Sequence, residues 1–278
     1  MRLAALVLVP TLVLGLALVG MLLGWGVLPD FGAWVNLHLT WGLFGWVGLL
    51  ILGVGYQVVP MFHVTPAYPS LLTKWLSPAL FLLLVGVSLA TLLDRQDLAW
   101  FGRGLIALGF GAFAVVTIRI QRYRSRSRRD ATLLHWWTAL GAGLAAALAW
   151  AGGAPETLVG VLLLVGVGVG LPSGMLFKIV PFLCWFHLQQ RQIAAGRFEV
   201  RVPHMGALMP ERLTRWQWGL HLAALAILVT ASLEPRLTLV GGLFLVLSTL
   251  LLAGLLLQVA WRYWQTRRAL EQAPAAQM

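Results

Sequence analysis

The chain has 278 residues, of which 60% are hydrophobic and only 10% charged, where a soluble domain carries about 25% charge. With a mean hydropathy of +0.85 it cannot cover a water-facing surface, which excludes soluble enzymes, disordered chains and nucleic-acid-binding modules. One cysteine allows no intrachain disulfide and no Cys-x-x-Cys motif.

A membrane span needs about 20 mostly apolar residues. Stretches nearly free of charge predict eight of them: 3–28, 33–59, 77–93, 98–118, 132–152, 156–177, 215–233 and 237–260. The first is longer than the apolar core of a signal peptide, about 7–15 residues, and reads as a retained helix. Span four is interrupted only by Arg103. With the N-terminus in the cytoplasm, 17 of the 20 Lys and Arg residues fall inside, and only Arg95, Arg103 and Arg236 outside. The net charge of +11 is therefore a topology signal that places both termini in the cytoplasm, with the cluster Arg122–Arg129 as a solvated inner loop. The expectation is a multi-pass protein of the inner (cytoplasmic) membrane. Its partners are the lipid bilayer and respiratory-chain or other membrane proteins, with no nucleic acid.

The chain also repeats itself. Tyr56-Gln-Val-Val-Pro60 returns as Phe177-Lys-Ile-Val-Pro181, Leu72-Thr-Lys-Trp75 as Leu213-Thr-Arg-Trp216, and Arg122-Tyr123 as Arg262-Tyr263. The order is kept, and one insertion of about twenty residues before Pro210 explains the change in offset. The predicted fold is an all-α bundle of eight transmembrane helices, a parallel 4+4 repeat with halves 1–130 and 131–278. Pro60 and Pro181 should end or bend their helices at the cytoplasmic interface. The Gly160–Gly174 stretch has the small residues that close helix contact requires.

Ionisable groups within spans are costly and point to function. His38 and Arg103 lie at similar depth, roughly 8 Å below the outer interface, with Met21 at a comparable level. One reading is a haem or metal site, with His38 as axial ligand, Arg103 on a propionate and Met21 as a second axial ligand. The other has His38 bonded to a neighbouring carbonyl and Arg103 snorkelling to Asp94 or Asp97. The remaining histidines crowd the cytoplasmic side. His63 and His204 occupy equivalent repeat positions, Cys184 and His187 share one face if their segment is helical, and His135 and His221 enter spans five and seven. His63, His204, Cys184 and His187 are the candidates for copper or zinc. No span holds paired carboxylates, which weakens a proton-coupled transporter, although Lys178, Gln57, Ser173 and Thr40 could line a polar path.

The segment Asn36-Leu-His38-Leu-Thr-Trp-Gly-Leu-Phe-Gly45-Trp46, with Gly53-Val-Gly-Tyr56 and Pro60 behind it, resembles the second helix of haem–copper oxidase catalytic subunits. The likeness is to the cbb3-type oxidases, the nitric oxide reductases and smaller oxidase-like membrane proteins. It covers about 25 residues. The resemblance implies that His38, seven residues before the Gly-aromatic pair, ligates a low-spin haem b. The second outer-face histidine and the three copper histidines of the oxidases have no counterparts here. The haem A synthases share a four-plus-four plan but carry ligand histidines in both halves, whereas Val159 stands at the position equivalent to His38. What the resemblance implies is thus one haem, with copper a further candidate, in a redox, sensing or assembly role. A small permease with a pathway between the repeats is the alternative.

Overall fold

A computed structural model describes residues 1–26, 30–125 and 129–272. Arg126 and Arg128 of the basic cluster lie outside the described residues. Every regular element among those described is helical. Seven helices are long and apolar enough to cross a membrane: Arg2–Leu22, Phe31–His63, Ser70–Leu92, Gln96–Arg122, Ala131–Ala151, Glu156–Ala195 and Pro235–Gln272. This is the plan of a multi-pass membrane protein. Their surfaces are apolar, with Leu16, Leu89, Leu108, Leu243 and Leu257 all exposed, as helices facing lipid require.

The segment expected as span seven is also helical, Glu211–Ala231, but it does not count among the seven. Glu211, Arg212, Arg215, Gln217 and His221 fall within its first eleven residues. Arg212 and Arg215 stay exposed, whereas Gln217 and His221 are turned inward and fully buried.

The proline after each second span does not end its helix. Pro60 is followed by three more helical residues. Beyond Pro181 the helix continues to Ala195, well past residue 177, where span six was expected to end. A proline deletes one backbone donor, and in the second half the rest of the hydrogen-bond ladder carries the helix on.

Both second spans contain a π-helical stretch of eight residues, Thr40–Val47 in the first half and Leu162–Val169 in the second. These lie 122 residues apart, within one residue of the offset between Pro60 and Pro181. A π stretch inside a longer helix is rare and is common at functional sites.

By contacts the chain divides into two compact units, one of residues 1–127 and 141–163, the other of 128–140 and 164–278. In the first unit, Val7, Leu49, Leu52, Leu80, Leu84 and Ile106 are almost completely buried. Helix Arg2–Leu22 approaches the π stretch closely because Gly45 has no side chain. A Cβ there would lie 2.7 Å from the Val7 Cγ1 atom. Trp41 Nε1 donates to Ser88 Oγ at 2.8 Å, and the Ser88 hydroxyl in turn donates to the Leu84 carbonyl. In the second unit, Ala131, Phe177, Leu208, Met209, Leu255 and Val259 form a core cluster against which Cys184 and Trp185 pack. Asp130 accepts the Leu133 N–H at 3.0 Å as a helix cap, and its other carboxylate oxygen pairs with Lys178 at 2.6 Å. The Arg262 guanidinium donates to the Ala207 carbonyl and that of Arg197 to the Leu270 carbonyl.

Candidate functional site

Two groups of polar side chains stand out, one in each unit. In the first unit, His38 sits two residues before the π stretch. Its Nδ1 lies 3.0 Å from the backbone oxygen of Thr11. A carbonyl only accepts, so Nδ1 carries the proton and Nε2 holds the free lone pair. The ring reaches helix Arg2–Leu22 because Gly15 leaves room: a Cβ at that position would lie 3.0 Å from His38 Cε1. This is the carbonyl partnership that the second reading of His38 called for. It is also the arrangement that orients a metal-ligating imidazole, one nitrogen tied back and the other presented.

Arg103 does not pair with Asp94 or Asp97; Asp97 is taken by Arg95 at 3.3 Å. Its guanidinium lies 5.3 Å from the ring centres of both Trp100 and Trp150, and its Nε is buried without a partner. Stacking on indole suits a delocalised cation better than a lysine ammonium. Met21 stands in the last turn of its helix, half-buried, its carbonyl accepting the Gly24 N–H. Among the described residues no hydrogen bond, ion pair or ring contact joins His38, Arg103 and Met21 to one another.

The cytoplasmic candidates are dispersed. His63 is buried at the end of its helix. His204 caps the short helix Met205–Leu208, its Nδ1 accepting the Ala207 N–H at 2.9 Å. His187 has both nitrogens engaged: Nε2 accepts from Arg191 Nε at 3.1 Å, and Nδ1 lies 2.8 Å from the Tyr263 hydroxyl. Cys184 is half-buried against the core cluster. Among the described residues no group of three His, Cys, Asp or Glu side chains is placed to hold a metal ion.

The second polar group was not singled out by sequence reasoning. His135 and His221 are both fully buried, with ring centres 5.2 Å apart and ring planes inclined at 45°. His135 Nε2 is 2.8 Å from Gln217 Oε1. The Gln217 amide nitrogen in turn donates to Ser248 Oγ at 3.0 Å. Phe177 packs edge-on to the His135 ring. Gly170, the first residue after the second π stretch, and Gly174, one turn on, leave the space that the rings fill. A Cβ at Gly170 would lie 2.8 Å from His221 Nε2, and one at Gly174 only 2.4 Å from His135 Cβ. The signal available in the sequence was the spacing: glycines four apart on one span, and Gln217 and His221 four apart on another, each pair on one helix face.

Comparison with protein families, curated proteins and solved structures finds no match to this chain.

Proposed function

We propose that the chain is an oxidase-like integral membrane protein with both termini in the cytoplasm. It is built of eight membrane helices as two four-helix repeats. It holds one haem b near the outer face through His38, in a redox, sensing or assembly role. The π stretches support the repeat, since an irregularity this rare recurs within one residue of the offset that separates Pro60 from Pro181.

The observation that carries the haem reading is the anchoring of His38. With Nδ1–H fixed on the Thr11 carbonyl at 3.0 Å, the ring is locked in the tautomer that presents Nε2 as a ligand. Arg103 fits the same reading, because a guanidinium whose Nε lacks a partner is a ready donor to a propionate. Nothing in its surroundings singles out Met21 as a ligand. A haem held at His38 would supply one-electron chemistry. The chain's own part is to fix the ring, place a cation beside an anionic group and exclude water.

The test is spectroscopic. Protein purified from haem-replete cells should show a Soret band and a b-type haemochrome. His38→Ala should abolish both while leaving the amount of protein in the membrane unchanged. A colourless protein, or a His38→Ala variant with its haem intact, refutes the reading and leaves the permease in its place.

A further inference from the structure

We propose that His135 and His221 form a second, independent site for a soft monovalent metal ion of the copper(I) class, buried within the second unit. The argument starts from the hydrogen-bond chain. The Gln217 amide nitrogen donates to Ser248, so the group turned to His135 is the amide oxygen, which only accepts. His135 therefore carries its proton on Nε2, and its Nδ1 is a bare lone pair. That atom is buried without a partner, as are both nitrogens of His221. A neutral imidazole has one donor and one acceptor, so the pair presents two lone pairs and one N–H that nothing in the protein satisfies. Native interiors leave few such atoms, and each calls for an explanation. Packing alone supplies none here, because two glycines are needed to admit the rings.

Lone pairs call for a cation, and the surroundings select which. Among the described residues the pair has no carboxylate or thiolate with it, so the ion's charge goes uncompensated, and a single charge costs far less than a double one. Imidazole suits copper, whereas zinc prefers four ligands and would find two. At about 2.0 Å per metal–nitrogen bond, the ring centres of a pair bridged in the collinear geometry that two-ligand copper(I) prefers lie about 6 Å apart, so the rings, now 5.2 Å apart, separate by about 1 Å when the ion enters. The site is also deep. Ten residues separate Glu211, where its helix begins, from His221, about 15 Å of axial rise.

The experiment is anaerobic titration of the full-length, detergent-solubilised protein with copper(I) against a chromophoric chelator. The wild type should bind one copper(I) per chain. His135→Gln and His221→Gln should each weaken binding by more than about 100-fold, beyond the range that outer-shell changes produce. His38→Ala and a Cys184→Ala/His187→Ala double variant should bind as the wild type does, which separates this site from the haem reading and from the cytoplasmic donors. Zinc(II) should bind at least about 100-fold more weakly than copper(I). If the glutamine variants fail to accumulate, copper-edge X-ray absorption of the loaded wild type decides, with imidazole scattering from two nitrogens expected. No copper binding, as when the rings merely share a proton, overturns the proposal. So does binding that survives both glutamine variants, binding lost with Cys184 and His187, zinc affinity equal to copper, or a sulfur-dominated absorption spectrum.

Discussion

Gly174→Ala is a sharp test of how the second unit is packed. The added methyl carbon would stand 2.4 Å from His135 Cβ and 3.0 Å from its Cγ, where carbon atoms prefer about 3.5–4.0 Å. Relief requires a movement of at least about 1 Å. The atom struck is a Cβ, fixed to the backbone, so no rotamer change of His135 removes the clash and the two helices must separate. Overpacking of this kind costs about 1–3 kcal/mol. The same movement stretches the 2.8 Å contact between His135 and Gln217, worth about 1 kcal/mol more. The expected destabilisation is about 3 kcal/mol. Gly160→Ala is the internal control, because nothing lies within 4 Å of a Cβ built there and alanine is the better helix former. Cys184, the single cysteine and half-buried against the core cluster, supplies the assay: a thiol-reactive fluorophore reports when that cluster opens during thermal or detergent unfolding. Gly174→Ala should open well before the wild type, and Gly160→Ala with it or later. If Gly174→Ala and wild type open together, the close helix approach at His135 is wrong.

Asp130→Ala should destabilise by about 2 kcal/mol, since it removes a helix cap and leaves Lys178 without its carboxylate; Asp130→Asn, which keeps the cap, should cost about half as much in the same unfolding assay. Arg103→Lys should behave like a loss of function rather than a conservative change, costing about 1 kcal/mol of stacking on Trp100 and Trp150, and a change in tryptophan emission as large as that of Arg103→Leu would register it. Val64 ends its helix at a φ of 52°, a left-handed conformation that a β-branched residue adopts only under strain; Val64→Gly should raise stability by about 0.5–1 kcal/mol, and a lower unfolding midpoint would count against the strain.

The membrane helices were legible in the sequence because a bilayer imposes a length and a polarity on each of them, and charge marks their ends. The segment 211–231 shows where that reading weakens. Its helix was foreseen, but Gln217 and His221 lower its hydropathy, and Gln217 finds its partners His135 and Ser248 at 82 and 31 residues' distance. No local pattern announces such pairing. The continuation of the helix past Pro181 was missed for a related reason, since a proline's local cost says nothing of what the following helix packs against. His38 was found from its cost in a membrane. Its partner, a main-chain carbonyl on the preceding helix, could not be named, because backbone groups carry no identity in a sequence. The paired histidines were visible as residues and invisible as a pair.

The π stretches have a consequence for how this protein tolerates length changes. Each residue deleted from a regular helix turns everything downstream by about 100° and draws it back about 1.5 Å, which would swing an inward face toward lipid. A π stretch holds its hydrogen bonds from residue i to i+5 instead of i+4, so it already stores surplus chain. Removing one residue between Thr40 and Val47 can be absorbed by reversion to ordinary α geometry, leaving His38 upstream and Tyr56 downstream on the faces they now occupy. The same deletion between Gly48 and His63 has no such slack to draw on. The two second spans therefore each carry a one-residue buffer beside a crowded glycine, Gly48 in one and Gly170 in the other. Single-residue deletions should be far better tolerated inside those eight-residue windows than anywhere else along the helices that contain them.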